Sequence, residues 1–267
     1  VADLQDIQAQ HDRYIDSLIA NFQRELDAIV AGAMARTQAR LRDTLSVTDG
    51  VIDRTAGNSR ALRTLDRLIL KELDRGGFQQ ALDELVAQFP GQLPFFQQVL
   101  DTLSASMDTP LPPINFGPRD IQVFGAQAAV ARDGIEAVME QIAARVKNRV
   151  MLSVGGSKFA DLVSTLAESV QRGLPEVVGL AETATSTYYR VIADRGYQVI
   201  EEESAGVLRY KPYGPLDSLT RPFCRHLLTS GKTYTREEID RMNNHQIPNV
   251  FLSFGGWRCR HNFLLSV

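Results

Sequence analysis

No apolar run in this chain approaches the length needed to cross a bilayer, and its N-terminus lacks the basic-then-apolar profile of a signal peptide. Excess charge is missing too. A formal net charge of -3 gives no global electrostatic reason to bind nucleic acid or an anionic membrane. Two cysteines cannot build a disulfide framework, so they point to a reducing compartment or to a role at one local site. Enzyme signatures are equally scarce: there is no His-Glu-x-x-His, Gly-x-Ser-x-Gly or dinucleotide fingerprint. The stretch Ser153–Lys158 superficially suggests a phosphate loop, but it lacks the full spacing and follows a helix, so it reads as a helix break. Glu201, Glu202 and Glu203 have no companion motif and read as a charged loop.

What is present is ordinary globular composition, 44% hydrophobic and 23% charged, over 267 residues, enough for one large domain or two smaller ones with a real core. The chain begins at Val1 without a methionine, which reads as processing or as a segment upstream. From Leu4 to about Leu45 there is no proline, and Ile15, Leu18, Ile19, Phe22, Leu26, Ile29, Val30, Ala33, Leu41 and Leu45 recur at helical spacing. That predicts an amphipathic helix of about 40 residues, roughly 60 Å long. A helix of that length needs a bundle, a second subunit or a scaffold to cover its stripe. Thr48, Asp49 and Gly50 end it.

A helical cluster follows: Ser59 to Leu73, closed by Gly76 and Gly77; Phe78 to Phe89, stopped by Pro90; and Leu93 to Leu103. Residues 107–118 are proline-rich and read as a linker. Arg119 to Met151 is another long amphipathic helix, with Ile121, Phe124, Ala128, Val130, Ile135, Val138, Met139, Ile142, Val146 and Val150 on its apolar side, broken by Gly155 and Gly156. Two helices complete this part, Lys158 to Gln171 with Gly173 as its stop, and Pro175 to Arg195 closed by Gly196. Apolar stripes at this spacing are core, and the charges opposite them are solvated surface.

The pattern then changes. Residues 206–213 alternate like a strand, with Pro212 at its end or edge. Pro222 begins a short helix through Leu228. Thr235 and Glu238 form a capping box for a helix to about Asn243. The expectation is a mainly α protein: an N-terminal helical region (1–106), a Pro-rich linker (107–118), a long-helix region (119–196) and a small α+β C-terminal module (197–267).

Between Tyr210 and His261 lie both cysteines, three of the four histidines and the only tryptophan. Asp217, Thr220, Arg221, Pro222, Phe223 and Cys224, then Lys232 and Tyr234, then Gly255, Gly256, Cys259, Arg260 and His261 resemble the C-terminal signature of Mu F-like phage minor head (head morphogenesis) proteins. The preceding helix, with Glu182, Thr183 and Thr185 and a run ending in Gly196, is similar to the one that leads into that signature. The resemblance covers roughly the last 85 residues and implies a virion-associated assembly protein, joining the procapsid near the portal.

Three readings of the Cys/His set compete. Cys224, Cys259 and His261, completed by His226 or His245, offer a zinc site. Cys224 and His226 lie about 200° apart around a helix, which turns His226 away from an ion at Cys224, and Leu227 stands where the family often has a second cysteine. Cys259 and His261 share a face if extended. Alternatively the two cysteines are buried thiols or one staple. In the third reading, His261 and Arg260 hydrogen-bond the Asp217–Thr220 turn and fix a fold with little core. The structural readings rank ahead of zinc, and zinc ahead of a cysteine–histidine nucleophile. Asp217 and Thr220 read as satisfying local backbone donors, Arg221 as pairing with Asp217 or a partner surface, and Gly255 and Gly256 as a tight turn setting Trp257 against the module's core.

The functional expectation is therefore structural: a non-enzymatic minor capsid protein without catalytic or cofactor-binding residues, zinc being the one cofactor its residues suggest. The implied partners are portal or major capsid subunits and further copies of the chain through the long helices. The implied location is the virion, in the capsid interior or at the portal vertex, after assembly in the host cytoplasm. The alternatives are a metal-dependent nuclease or hydrolase using the Cys/His cluster with Asp217, and an internal DNA-associated, ejected protein with Arg36, Arg40 and Arg42 as a basic patch.

Overall fold

The structure is a computed structural model that describes residues 3–107, 110–153, 157–203 and 207–266. It is mainly α. In chain order come α1 (Leu4–Thr44), a minimal hairpin of β1 (Val47–Thr48) and β2 (Val51–Ile52), then α2 (Ala56–Arg63), α3 (Leu65–Arg75) and α4 (Phe78–Ala87). A 3₁₀ turn (Phe89–Gln92) leads to α5 (Leu93–Ala105), and the two long helices α6 (Pro118–Ser153) and α7 (Phe159–Glu203) follow. The C-terminal part holds β3 (Tyr210–Tyr213), α8 (Pro222–Thr229), α9 (Arg236–Asp240), α10 (Val250–Ser253) and β4 (Asn262–Leu265). No described helix is long and apolar enough to cross a membrane.

The chain divides into two compact units that are not sequential. One comprises Val1–Leu18, Val86–Ala131 and Gly179–Val267, and the other Ile19–Leu85 and Arg132–Val178. Each long helix thus contributes a segment to either unit, and residues 110–117 run as irregular chain within the first.

In the second unit, Leu26, Val30, Leu62, Leu65, Ile69, Leu73, Leu82, Ile142, Val146 and Leu166 are buried. Asp49 and Gly50 both take positive φ (49° and 76°), which suits a two-residue hairpin turn. Residues expected as one helix from Ser59 form two, because Thr64 interrupts with its N–H bonded back to Ala61. Gly173 and Pro175 do not stop a helix: α7 runs through both. A Cβ on Gly173 would lie 2.7 Å from the Ile142 side chain of α6. The glycine is there for close helix approach, and burial of Val170, Leu174, Val177 and Val178 sustains the helix across the proline. Ile121 and Val130, expected on the apolar side of α6, are 56% and 66% exposed.

Arg36 and Arg40 both engage one buried carboxylate. Their guanidinium groups donate to the carboxylate of Glu72 at 2.8 and 3.0 Å, and Glu72 is fully buried. Arg42 lies over the Phe159 ring. Burial works to raise the Glu72 pKa, and the bonds from Arg36 and then Arg40 outweigh it, leaving it below the usual carboxylate value. A carboxylate depressed in the fold contributes stability above its unfolded pKa of about 4.3, and that stability disappears as pH falls through the folded value. Glu72→Gln is accordingly expected to lower the urea midpoint at neutral pH and to flatten its decline below about pH 5. Identical acid profiles for the two proteins would contradict this role.

The first unit is built on rings. Phe96 of α5 meets Tyr197 of α7 (5.5 Å), Tyr197 meets Tyr210 of β3 (5.4 Å), and Tyr210 meets Phe251 of α10 (5.2 Å). Phe251 stacks on Phe263 of β4 (5.6 Å), which meets Phe254 (4.6 Å). The C-terminal segment therefore shares its core with α5 and α7. Its two strands pair antiparallel, Tyr210 opposite Leu265 and Tyr213 opposite Asn262. The capping box of α9 is present, Thr235 and Glu238 each bonding the other's backbone N–H.

Gly196 does not close α7, which continues to Glu203, so Glu201–Glu203 form its last turn and not a loop. A Cβ at Gly196 would fall within 2.5 Å of Phe96 Cζ and 3.3 Å of Ile114. In an open helix Gly→Ala stabilises by about 1 kcal/mol. Here Gly196→Ala is expected to reverse sign and cost about 1–3 kcal/mol by overpacking. Phe96→Leu in the same chain should recover much of the loss, and a urea double-mutant cycle reads the coupling. The expected Gly155–Gly156 break and the strand start at Gly206 lie outside the described residues.

Candidate metal centre

Three elements of the first unit bring the Cys/His set together. Cys224 sits on α8, where Pro222 in the first turn and extended Arg221 before it start the helix. Cys259 and His261 follow the turn after α10, directly before β4. All three side chains are buried. The two Sγ atoms lie 3.8 Å apart, and Cys259 Sγ lies 3.3 Å from His261 Nδ1. The candidate ligand atoms of the three all fall within 4.8 Å of one another. His226 and His245 are exposed and stand outside the group, as the angular separation on α8 requires of His226.

The surroundings orient each ligand. His261 Nε2 is 2.7 Å from the Pro215 carbonyl, which can only accept. Nε2 therefore carries a proton, and Nδ1 is the ring nitrogen turned toward Cys259. The Gly255 N–H donates to Cys259 Sγ at 3.2 Å. Gly255 is required sterically, since an added Cβ would overlap Cys224 Sγ and come 3.1 Å from Cys259 Sγ. Gly256 is required conformationally, at φ 90°. The turn is as tight as expected, but Trp257 is 48% exposed and does not pack against the core. The turn's backbone is held instead, by Arg221, which donates to the carbonyls of Gly255 and Trp257 and not to Asp217.

Asp217 and Thr220 close the turn ahead of α8. Asp217 accepts from the Leu219 N–H at 2.9 Å, and Thr220 Oγ1 accepts from the Asp217 N–H at 2.9 Å. Arg260 Nη2 donates to Asp217 Oδ2 at 2.6 Å, and chiefly for that reason the Asp217 pKa falls to about 2. Arg258 reaches α7 instead, where its guanidinium forks onto Glu182 and its N–H donates to Thr183 Oγ1 at 2.9 Å.

Two residues that sequence reasoning passed over lie beside the centre. Arg190 of α7 is 3% exposed and donates to the carbonyls of His261 (3.1 Å), Leu252 (3.1 Å) and Cys259. Its signal was a lone arginine in the apolar run Tyr188, Tyr189, Val191, Ile192. His11 of α1 is also 3% exposed, with Nε2 3.0 Å from Gln92 Oε1. Burial lowers its pKa to about 4, so the ring is neutral. It lines a cavity of about 30 Å³, room for one water, with Arg190 and Cys259.

Chemically the two thiols are hydrogen-bonded to each other. Their mutual hydrogen bond drives Cys259 well below the usual thiol value and Cys224 well above it, and His261 and Arg190 favour the charge on Cys259. Two sulfurs and an imidazole lone pair converging from three directions suit a borderline-soft cation. The same pair could also close as one staple. Both cysteines are free here. Comparison with family models, with curated proteins and with solved structures gives no match.

Proposed function

We propose that this chain is a phage minor head protein that binds portal or capsid subunits during head assembly. One observation carries the reading: the residues behind the Mu F-like resemblance are engaged with one another and with α7. Asp217 meets Arg260, Arg221 holds the Gly255–Trp257 turn, Cys224 meets Cys259, and His261 bonds Pro215. A signature so used builds an architecture, and contact with partners falls to exposed apolar side chains such as Leu216, Leu219 and Trp257, and Ile121 and Val130 on α6. Cross-linking mass spectrometry on intact particles tests this. Links from these positions to portal or major capsid subunits are expected, and particles devoid of the chain would overturn the reading.

A second reading, a metal-dependent hydrolase, is favoured by the cleft of about 570 Å³ that adjoins Cys224, Cys259 and His261. Against it, Asp217 is bound to Arg260 and does not join the Cys/His group. Hydrolysis of nucleic-acid or ester substrates by the zinc-loaded chain, lost in Cys259→Ser, would establish it. In the DNA-associated reading, two of the three arginines of the basic patch, Arg36 and Arg40, are bonded to Glu72.

A further inference from the structure

We propose that Cys224, Cys259 and His261 form a three-ligand zinc site whose fourth coordination position opens to the adjoining cleft and takes an anionic oxygen ligand from solution. The inference is independent of the assembly role proposed above.

The first argument is metric. Zinc bonds of about 2.3 Å to sulfur and about 2.0–2.1 Å to nitrogen give tetrahedral edges of about 3.8 Å between two sulfurs and about 3.5 Å between sulfur and nitrogen. The observed separations are 3.8 and 3.3 Å. Two edges of such a tetrahedron are thus already in place, and the third, between Cys224 and His261, lies within 4.8 Å. The second argument is the outer layer. A zinc-binding imidazole characteristically donates its other N–H to a carbonyl or carboxylate, which fixes tautomer and ring plane. Pro215 O accepts that proton here, and the Gly255 N–H supports the Cys259 sulfur.

The third argument concerns the missing corner. Among the described residues no other Cys, His, Asp or Glu joins the group. The position one helical turn beyond Cys224, which shares its face of α8, holds Leu227, buried and unable to ligate. Structural zinc sites are closed by four protein ligands, whereas sites with three leave the last place to water or an exchangeable ligand. All three side chains line the cleft of about 570 Å³, together with Arg221, Arg258 and Arg260.

Charge selects the ligand. Arg258 is met by Glu182 and Arg260 by Asp217, but Arg221 bonds only carbonyls, and no carboxylate among the described residues pairs with it. Zinc with two thiolates and a neutral imidazole is itself uncharged. Asp16 and Glu182 also line the cleft, but its three guanidinium groups outnumber these two carboxylates, and Arg221 therefore favours an oxyanion such as a carboxylate or phosphate.

The test uses the full chain, reduced, stripped of metal and loaded with cobalt(II), whose visible bands report coordination. One cobalt per chain with thiolate charge-transfer absorption is expected, and added acetate or inorganic phosphate should shift the visible bands saturably. Arg221→Gln should raise the half-saturating acetate concentration about tenfold. Leu227→Cys should add a thiolate band and make the spectrum indifferent to acetate. Failure to bind cobalt or zinc stoichiometrically would remove the site itself. Stoichiometric binding with a spectrum that neither anion moves would remove the open position while leaving a metal site. The wild-type titration decides this without relying on any variant to fold. Neither result bears on whether the chain is found in particles.

Discussion

Replacing Arg190 with leucine is expected to destabilise the first unit by on the order of 5 kcal/mol, comparable to the whole stability of many domains. Arg190 lies on α7, is nearly fully buried, and donates to the carbonyls of Leu252, Cys259 and His261. The Leu252 carbonyl lies in the four-residue helix α10, and those of Cys259 and His261 in the irregular backbone that follows it and carries the Cys/His centre. A leucine fits the volume but leaves them buried without donors, at a cost of about 1–3 kcal/mol each. It also removes hydrogen bonds from a charged group, which are stronger than neutral ones. Lysine is expected to recover only part of the loss, because a point ammonium cannot match a planar fork reaching three acceptors. Urea unfolding followed by near-ultraviolet circular dichroism of the tyrosine-rich core measures the effect. A loss below about 1 kcal/mol for Arg190→Leu would mean that other donors serve these carbonyls.

Gly255→Ala is the second large effect, with a different cause. No positive φ accompanies Gly255, so the objection to a side chain there is space alone. The new methyl group would overlap Cys224 Sγ and press on Cys259 Sγ at 3.1 Å. Overpacking of this kind costs about 1–3 kcal/mol, and more where backbone rather than a flexible chain must yield. It also separates the two sulfurs, so zinc affinity should fall by on the order of 100-fold, the upper end of the effect of disturbing a ligand's supporting layer. Truncating the obstructing sulfur gives the control. Cys224→Ala and Gly255→Ala together should be little less stable than Cys224→Ala alone, giving a strongly non-additive cycle. Additive losses would place the strain elsewhere.

Much of this architecture could be read along the chain. The proline-free, periodic run of α1 predicts Leu4 to about Leu45, and the helix ends at Thr44. Thr235 and Glu238 announce the start of α9, and the two face each other there. Both signals are local, since periodicity and capping act within a turn or two of helix. The errors come where a distant residue outweighs a local preference. Gly173 and Gly196 look like helix stops because glycine disfavours helix by about 1 kcal/mol. Ile142 and Phe96, far away in sequence, occupy the space their missing side chains leave. Trp257 looks like core because it is large and apolar, yet the positive-φ backbone at Gly256 and Arg258 carries it to the surface.

The centre shows the same division. That Cys224, Cys259 and His261 are one candidate ligand set, and that His226 turns away from Cys224 on α8, was legible from residue types, spacing and helix geometry. That a sulfur 35 positions away stops 3.8 Å from its partner was not. Nor was the burial of Arg190 beneath it, or the pairing of Arg36 and Arg40 with Glu72. Periodicity, caps and motif order are written in neighbouring residues, so the sequence by itself determined a mainly α chain with a distinct Cys/His-bearing C-terminal part. Which carbonyls a buried arginine satisfies, which glycine admits a sulfur and which corner of a tetrahedron stays open depend on long-range packing. Only the tertiary structure decided those, because each is a contact between segments that the linear order leaves far apart.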